Sequence, residues 1–69
     1  MDFRTYWRSL SAAEKKQFAA NLRHNQTYLI QVGSGFRQPS PRLAKAIHAA
    51  TQGAVQLHEL RPDIWDQVA

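Results

Sequence analysis

Residues 18–35 read FAANLRHNQTYLIQVGSG, which is two helical segments joined by a turn of about three residues. Ala19 supplies a small side chain at the point where the second helix would have to cross the first. In the second segment, Leu29 and Val32 are three residues apart and would face a common core. These features predict a helix-turn-helix.

The face of the second segment that lies opposite its core residues carries side chains suited to reading base pairs. With Leu29 and Val32 buried, steps of about 100° per residue turn the opposite face toward solvent. The residues of that face are Gln26, Thr27, Ile30 and Gln31. Glutamine can bond to N6 and N7 of adenine, threonine offers a hydroxyl and a methyl group, and isoleucine can contact the thymine methyl. We therefore predict that this face enters a DNA major groove.

Two helices are predicted before the segment that carries the groove-reading face. The first covers Asp2–Leu10, because four apolar side chains recur at i, i+3, i+4 and i+7: Phe3, Tyr6, Trp7 and Leu10. Ser11 and Glu14 have the spacing of a capping box, which predicts a second helix that begins at Ala12. This helix should end near residues 23–24.

The third and fourth helices are marked by their caps. Asn25 is a good N-cap for a short third helix over Gln26–Val32, which the Gly-Ser-Gly sequence of residues 33–35 should end. Ser40 can cap a fourth helix that opens at Pro41, where a missing N–H does no harm.

The fourth helix has an apolar stripe, and beyond it the pattern leaves two conformations open. The stripe consists of Leu43, Ile47 and Ala50, and Gly53 is placed to close the helix as a left-handed C′ residue. Residues 54–60 alternate like a strand, yet the apolar residues between 57 and 68 also recur at helical spacings. The main expectation is an all-α fold of four to five helices, and the alternative is a mixed fold with a strand at residues 54–60.

Length and composition limit the possibilities further. The chain has 69 residues, 43% hydrophobic and 20% charged, which predicts one small folded domain over residues 1–69. It lacks cysteine, so disulfides and thiolate zinc sites are excluded. No apolar run approaches the roughly 18 residues of a membrane span, and no export signal precedes the first helix. We expect a cytoplasmic protein that does not contact membranes.

Basic residues are concentrated in the first three quarters of the chain. The net charge is +4, and residues 1–53 hold eight Lys and Arg against two Asp and Glu. Residues 54–69 hold one basic and three acidic residues. This distribution predicts a polyanionic partner for residues 1–53 and keeps the tail away from it.

The helix-turn-helix of residues 18–35 resembles that of phage Cro and lambda-type repressors. The segments at 39–44 and 53–62 resemble those of small Cro and YdaS-type phage or prophage regulators, so the resemblance covers residues 11–65. It implies a lambda-repressor-like fold and a transcriptional repressor that binds a palindromic operator in duplex DNA as a homodimer, without a cofactor or small-molecule substrate. Carried onto this chain, it assigns base contacts to Gln26, Thr27 and Gln31, with Tyr28 and Ile30 beside them.

Cations around this segment are candidates for contacts with the DNA backbone. The predicted phosphate contacts are Lys15, Lys16, Tyr28, Arg37, Arg42 and Lys45. We interpret Arg4, Arg8 and Arg23 as surface residues that add only to the general field. Arg23 also stands at a turn position where the family usually has glycine, and a left-handed backbone there would cost arginine roughly 1 kcal/mol.

No catalytic or metal-binding constellation is recognisable. His24, His48 and His58 lack the i, i+4 spacing of a metal pair, and the glycines of residues 33–35 lack the lysine of a phosphate loop. We predict that the chain is not an enzyme and holds neither metal nor cofactor. Phe36, directly after that turn, is expected to pack against the helix end.

The apolar residues of the tail have two alternative roles. Leu57, Leu60, Ile64 and Trp65 could form a dimer contact, or the tail could fold back over Tyr6 and Trp7 of the first helix. An alternative function follows from the same residues, namely an antitoxin-like module that neutralises a partner protein through its apolar C-terminal segment.

Overall fold

Five α-helices form the part of the chain that the computed structural model describes, residues 1–65. They are α1 (Phe3–Ser9), α2 (Ala12–Leu22), α3 (Gln26–Ser34), α4 (Pro41–Ala50) and α5 (Leu57–Leu60). Residues 1–65 contain no strand, so the all-α prediction is confirmed and the alternative strand at 54–60 is wrong. None of these helices is long and apolar enough to cross a membrane.

The N-cap residues predicted from the sequence bind the first turns of α2, α3 and α4. The Ser11 hydroxyl accepts the Glu14 N–H at 3.1 Å, and the Glu14 carboxylate accepts the Ser11 N–H at 2.8 Å, which is the predicted capping box. The side chains of Asn25 and Ser40 each accept the amide N–H three residues later, at 2.7 and 3.1 Å. The first four N–H groups of a helix have no partner within the helix. Each side-chain cap that binds one of them therefore contributes about 1 kcal/mol to stability.

The third helix is longer than predicted. It continues past Val32 through Gly33 to Ser34, and Gly35 ends it with a left-handed φ of 86°. Gly33 lies inside the helix where α1 crosses, because a Cβ on it would stand 3.4 Å from the Cα of Arg4. Its role is therefore close packing of helices, and only Gly35 acts as the stop signal.

The buried stripe of α4 is rotated from its predicted position. Ala50 is exposed, whereas Ala44 is fully buried beside Ile47, and Thr51 is buried just beyond the helix. The stripe therefore continues at i+4 from Ile47 and not at i+3.

The end of α4 corrects the predicted closing residue. Gln52 takes the first left-handed position with φ 55°, and Gly53 follows with φ 81°. The Gly53 N–H donates to the His48 carbonyl at 2.9 Å, and the Gln52 N–H donates to that of Ala49 at 3.0 Å. This pair of bonds is a Schellman motif that places Gln52, not Gly53, at C′.

The core is centred on aromatic side chains from the first two helices. The Phe18 ring centroid lies 5.9 Å from that of Phe3, 5.7 Å from that of Tyr6 and 6.1 Å from that of Trp7. The buried apolar residues are Phe3, Trp7, Phe18, Ala19, Leu29, Val32, Leu43, Ala44, Ile47, Val55 and Leu60. The aromatics of α1 are thus core residues, as their helical spacing predicted.

The tail folds back on the helices, but chiefly on α4 and not on α1 as one alternative expected. Leu57 and Trp65 pack against the core, while Ile64 remains 45% exposed. The Arg61 guanidinium donates to the Pro39 carbonyl at 2.8 Å and forms a two-pronged ion pair with Asp63, which joins the tail to the segment before α4. Val68, the last residue of the predicted helical spacing, lies outside the described residues.

The junction between α4 and α5 depends on the buried hydroxyl of Thr51. This hydroxyl donates to the His48 carbonyl at 3.1 Å and accepts the N–H of the fully buried Val55 at 3.2 Å. We expect Thr51→Val, which keeps the shape and removes the hydroxyl, to lower the free energy of unfolding by about 1–3 kcal/mol, because it leaves the Val55 N–H buried and unpaired. Urea denaturation measures this change.

Thr51→Ser is the matched control, since it keeps the hydroxyl and removes only a methyl group. A Thr51→Val variant as stable as Thr51→Ser would contradict the assigned role of this hydroxyl.

Stability should also depend on acidic pH in a defined direction. The Thr5 N–H lowers the pKa of Asp2, the Ser11 N–H lowers the pKa of Glu14, and the Arg61 guanidinium lowers the pKa of Asp63. A carboxyl whose pKa is lower in the folded state stabilises the fold above its unfolded-state pKa, and this contribution is lost as the pH falls. We expect the urea midpoint to decrease as the pH is lowered from about 5 to about 3. A midpoint that stays constant over this range would contradict the three assignments.

Candidate nucleic-acid interface

The outward face of α3 is the one predicted from the sequence. Leu29 is fully buried and Val32 is buried, so both face the core. Gln26 and Thr27 are exposed in the first turn, and Ile30 follows on the same face with 48% of its surface exposed. Three of the four side chains proposed from the sequence to meet bases therefore stand in solvent on one side of the helix, and the fourth, Gln31, is half-buried.

The turn before α3 sets the angle at which this face is presented. Ala19 is buried where α2 and α3 meet, as predicted. Arg23 has φ 60° and ψ 38°, so the left-handed conformation expected at this position is confirmed. The N–H of Arg23 donates to the Ala20 carbonyl and that of His24 to the Ala19 carbonyl, both at 3.1 Å. A strained arginine thus closes α2 in place of glycine.

Gln31 lies at the edge of the exposed face and is bound to a residue beyond the helix. It is half-buried, and its Oε1 accepts the Nε–H of Arg37 at 2.7 Å. The Arg37 guanidinium carbon also lies 6.0 Å from the centroid of the Tyr28 ring. The Tyr28 ring also stacks on the ring of His24, with 4.9 Å between the ring centroids and 24° between the planes. Residues 24, 28, 31 and 37 form one polar cluster along α3.

Two arginines of α1 also border α3, and the sequence interpretation missed their location. Arg4 and Arg8 line a groove of about 200 Å³ together with Trp7 and Ile30. Their i, i+4 spacing indicates a shared face of α1, but nothing local to α1 says that α3 lies beside it. They add two cations next to the exposed isoleucine.

The other cations predicted to contact phosphate lie on α2 and α4. Lys15 is half-buried, and its Nζ lies 5.9 Å from the centroid of the Trp7 ring. Lys16 and Lys45 are exposed. Arg42, in the first turn of α4, is exposed and borders a shallow groove shared with His24.

Carboxylates within residues 1–65 are all engaged in the fold. Asp2 and Glu14 cap α1 and α2. The Glu59 carboxylate accepts a hydrogen bond from the α-amino group of Met1 at 3.2 Å, and Asp63 forms an ion pair with Arg61. The remaining basic side chains have no carboxylate partner in this range: Arg4, Arg8, Lys15, Lys16, Arg23, Arg37, Arg42 and Lys45. The cations beside α3 are therefore not paired with any carboxylate of residues 1–65.

One known protein identifies the family of this chain. No family model matches the chain. The chain is 34% identical over 62 residues to a prophage transcriptional regulatory protein of Escherichia coli strain K12, which covers 90% of this chain and 94% of that protein. The chain belongs to this family of prophage regulatory proteins. The match extends over nearly the whole length of both proteins and so includes α3.

Phe36 departs from its predicted place in this regulator. It was expected to pack against the end of α3, but 86% of its surface is exposed. Its N–H donates to the Gln31 carbonyl at 3.0 Å, as in a Schellman motif. The Phe36 side chain borders a groove of about 470 Å³ that Phe3 and Val32 also line, and it does not fill this space.

The histidines do not assemble into a site. The ring of His24 stacks on Tyr28, and Nδ1 of His48 is 2.9 Å from the Val55 carbonyl oxygen, where it can donate a hydrogen bond. Within residues 1–65, no group of three or more histidines and carboxylates is placed to hold a metal ion.

The strained turn before α3 gives a test that can be made without DNA. We expect Arg23→Gly to raise the free energy of unfolding by up to about 1 kcal/mol, because glycine adopts the observed left-handed φ without a Cβ clash. Arg23→Ala is the control, since it removes the same charge and keeps the Cβ. If the two variants have equal urea midpoints, the left-handed turn is not the source of strain.

Proposed function

We propose that this chain is a Cro-type transcriptional repressor, a non-enzymatic cytoplasmic protein whose single domain binds a palindromic operator in duplex DNA as a homodimer. The proposal rests on one observation above all. Gln26, Thr27 and Ile30 are exposed together on α3, within a surface whose cations have no carboxylate partners in residues 1–65. A polar helix face that can enter a groove, surrounded by free positive charge, is the arrangement that duplex recognition requires.

Each exposed side chain of α3 has a proposed role. Gln26 pairs with N6 and N7 of adenine, Thr27 donates to or accepts from a base edge, and Ile30 contacts a thymine methyl group. Phosphate contacts are proposed for the groups around the helix: Lys15, Lys16, Tyr28, Arg42 and Lys45. The two arginines of α1, Arg4 and Arg8, join this set because they border the groove beside Ile30.

A homodimer follows from the size of the reading surface. A helix of nine residues spans about 14 Å and reaches only a few base pairs, so one copy cannot specify a long site. Two copies related by a two-fold axis would place their α3 helices about 34 Å apart, one in each half of a palindrome.

The antitoxin-like alternative needs a free apolar surface in the tail. Three of its apolar residues pack within the chain: Leu57, Leu60 and Trp65. Ile64 is the exposed large apolar residue of positions 54–65. This is less surface than a protein-binding segment would be expected to offer. Repression through DNA is therefore the better-supported function.

The first test is binding to DNA as a function of salt. An operator is selected from random duplex DNA, and its affinity is then measured at several salt concentrations. We expect the logarithm of the binding constant to fall linearly with the logarithm of salt, because phosphate contacts release counterions. An affinity that is flat with salt, or equal competition by single-stranded RNA, would exclude groove reading. A search for a bound protein would then be the next step.

The second test removes one base contact. Gln26→Ala should keep the fold, because the side chain is exposed, and should weaken operator binding by about 1–3 kcal/mol while non-specific binding barely changes. The loss should appear at two symmetric positions of the site. Gln38→Ala is the matched control, since that amide faces Asp63 of the tail. Equal base preferences for wild type and Gln26→Ala would remove this residue from recognition.

A further inference from the structure

We infer that Gln31 and Arg37 act as one reading unit that presents mainly hydrogen-bond donors and selects guanine, so that Arg37 is a specificity-determining residue and not a phosphate contact. The inference rests on the proposed function, because it names the base that this part of α3 reads. It also changes the expectation for Gln31, which as an isolated glutamine would suit adenine.

The orientation of the Gln31 amide follows from the chemistry of its partner. An arginine side chain carries donors and no acceptor, so its Nε–H at 2.7 Å can face only the amide oxygen of Gln31. With Oε1 turned toward Arg37, the amide group directs Nε2 and its two hydrogens away from Arg37. The terminal nitrogens of the guanidinium are donors as well. Arg37 takes up one of the two lone pairs of Oε1, so donors predominate among the polar groups that this pair offers to a ligand.

The pair is held in place from several sides. The Gln31 carbonyl accepts the backbone N–H groups of both Phe36 and Arg37, at 3.0 and 3.3 Å, so the main chain fixes Arg37 next to Gln31. The guanidinium also lies 6.0 Å from the Tyr28 ring, which His24 supports from a stacked position. A group ordered before binding loses less freedom on contact with a base than a free arginine would.

A pair that offers mainly donors discriminates among bases in the major groove. Guanine presents two acceptors there, N7 and O6, whereas adenine presents one acceptor and the N6 amino donor. Against adenine, the N6 hydrogens would face the hydrogens of the pair, and two buried donors would be left unsatisfied. Cytosine presents its N4 donor, and thymine offers a single acceptor. Guanine is the base whose edge satisfies both side chains.

The test compares three variants by base preference at each position of the selected operator. In the wild type, we expect guanine at one position of each half-site, and Gln31→Ala should weaken the preference at that same position. Arg37→Met frees the Gln31 oxygen while keeping a long side chain, so the preference there should shift by about tenfold or more from guanine toward adenine. Arg42→Met is the matched control, and as a phosphate contact it should weaken all sequences alike and reduce the salt slope by about one.

Two outcomes would overturn the inference while leaving the proposed function intact. One is adenine in the wild-type operator at the position that responds to Gln31→Ala. The other is an Arg37→Met variant that behaves like Arg42→Met, with uniform loss and an unchanged base preference. If the wild-type protein shows no sequence preference on duplex DNA, the proposed function fails and the inference fails with it.

The hydrogen bond itself can be examined in the free protein by nuclear magnetic resonance. The Arg37 Nε–H should exchange more slowly with water than that of Arg42 and should lose this protection in Gln31→Ala. Equal exchange at both arginines in the wild type would show that the pair does not form in solution, and the inference would be wrong.

Discussion

Burial of Leu29 is the constraint on which the rest of the structure depends. A helix of nine residues is too short to be stable alone in water, so α3 exists because its apolar side is held by other helices. Full burial of a leucine contributes about 1.5–3 kcal/mol, and α1 and α2 both pack on α3. Fixing Leu29 and Val32 inward fixes the rotation of the helix about its axis. The exposure of Gln26, Thr27 and Ile30 is then a geometric consequence of core packing.

The fold and the exposed face of α3 could be predicted because their signals are local. The capping box of Ser11 and Glu14, the caps at Asn25 and Ser40, and the left-handed turn at Arg23 each depend on a few neighbouring residues. Helical periodicity likewise identified the aromatic core. These features do not require knowledge of which helices meet, and the structure has them where the sequence placed them.

The features that could not be predicted depend on contacts between distant elements. Ala44, and not Ala50, belongs to the buried stripe of α4, which packs on both α2 and α5. Phe36 is exposed beside a groove that it shares with Phe3, thirty-three positions earlier in the chain. The location of Arg4 and Arg8 beside Ile30 has the same origin. Sequence spacing indicates which residues of one helix share a face, but not which other helix covers it.

Electrostatics and helix termination are coupled in this chain. The carboxylates of residues 1–65 cap helices or pair with Arg61 and the α-amino group of Met1, so the cations beside α3 have no carboxylate partner in this range. The end of α3 uses the Gln31 carbonyl as the acceptor for two N–H groups, and the side chain of the same residue accepts from Arg37. The left-handed residue that allows this turn is Gly35, with φ 86°. The backbone conformation that stops the helix therefore also determines where the guanidinium lies, so a change in how α3 ends would change the chemical groups that its outer face presents.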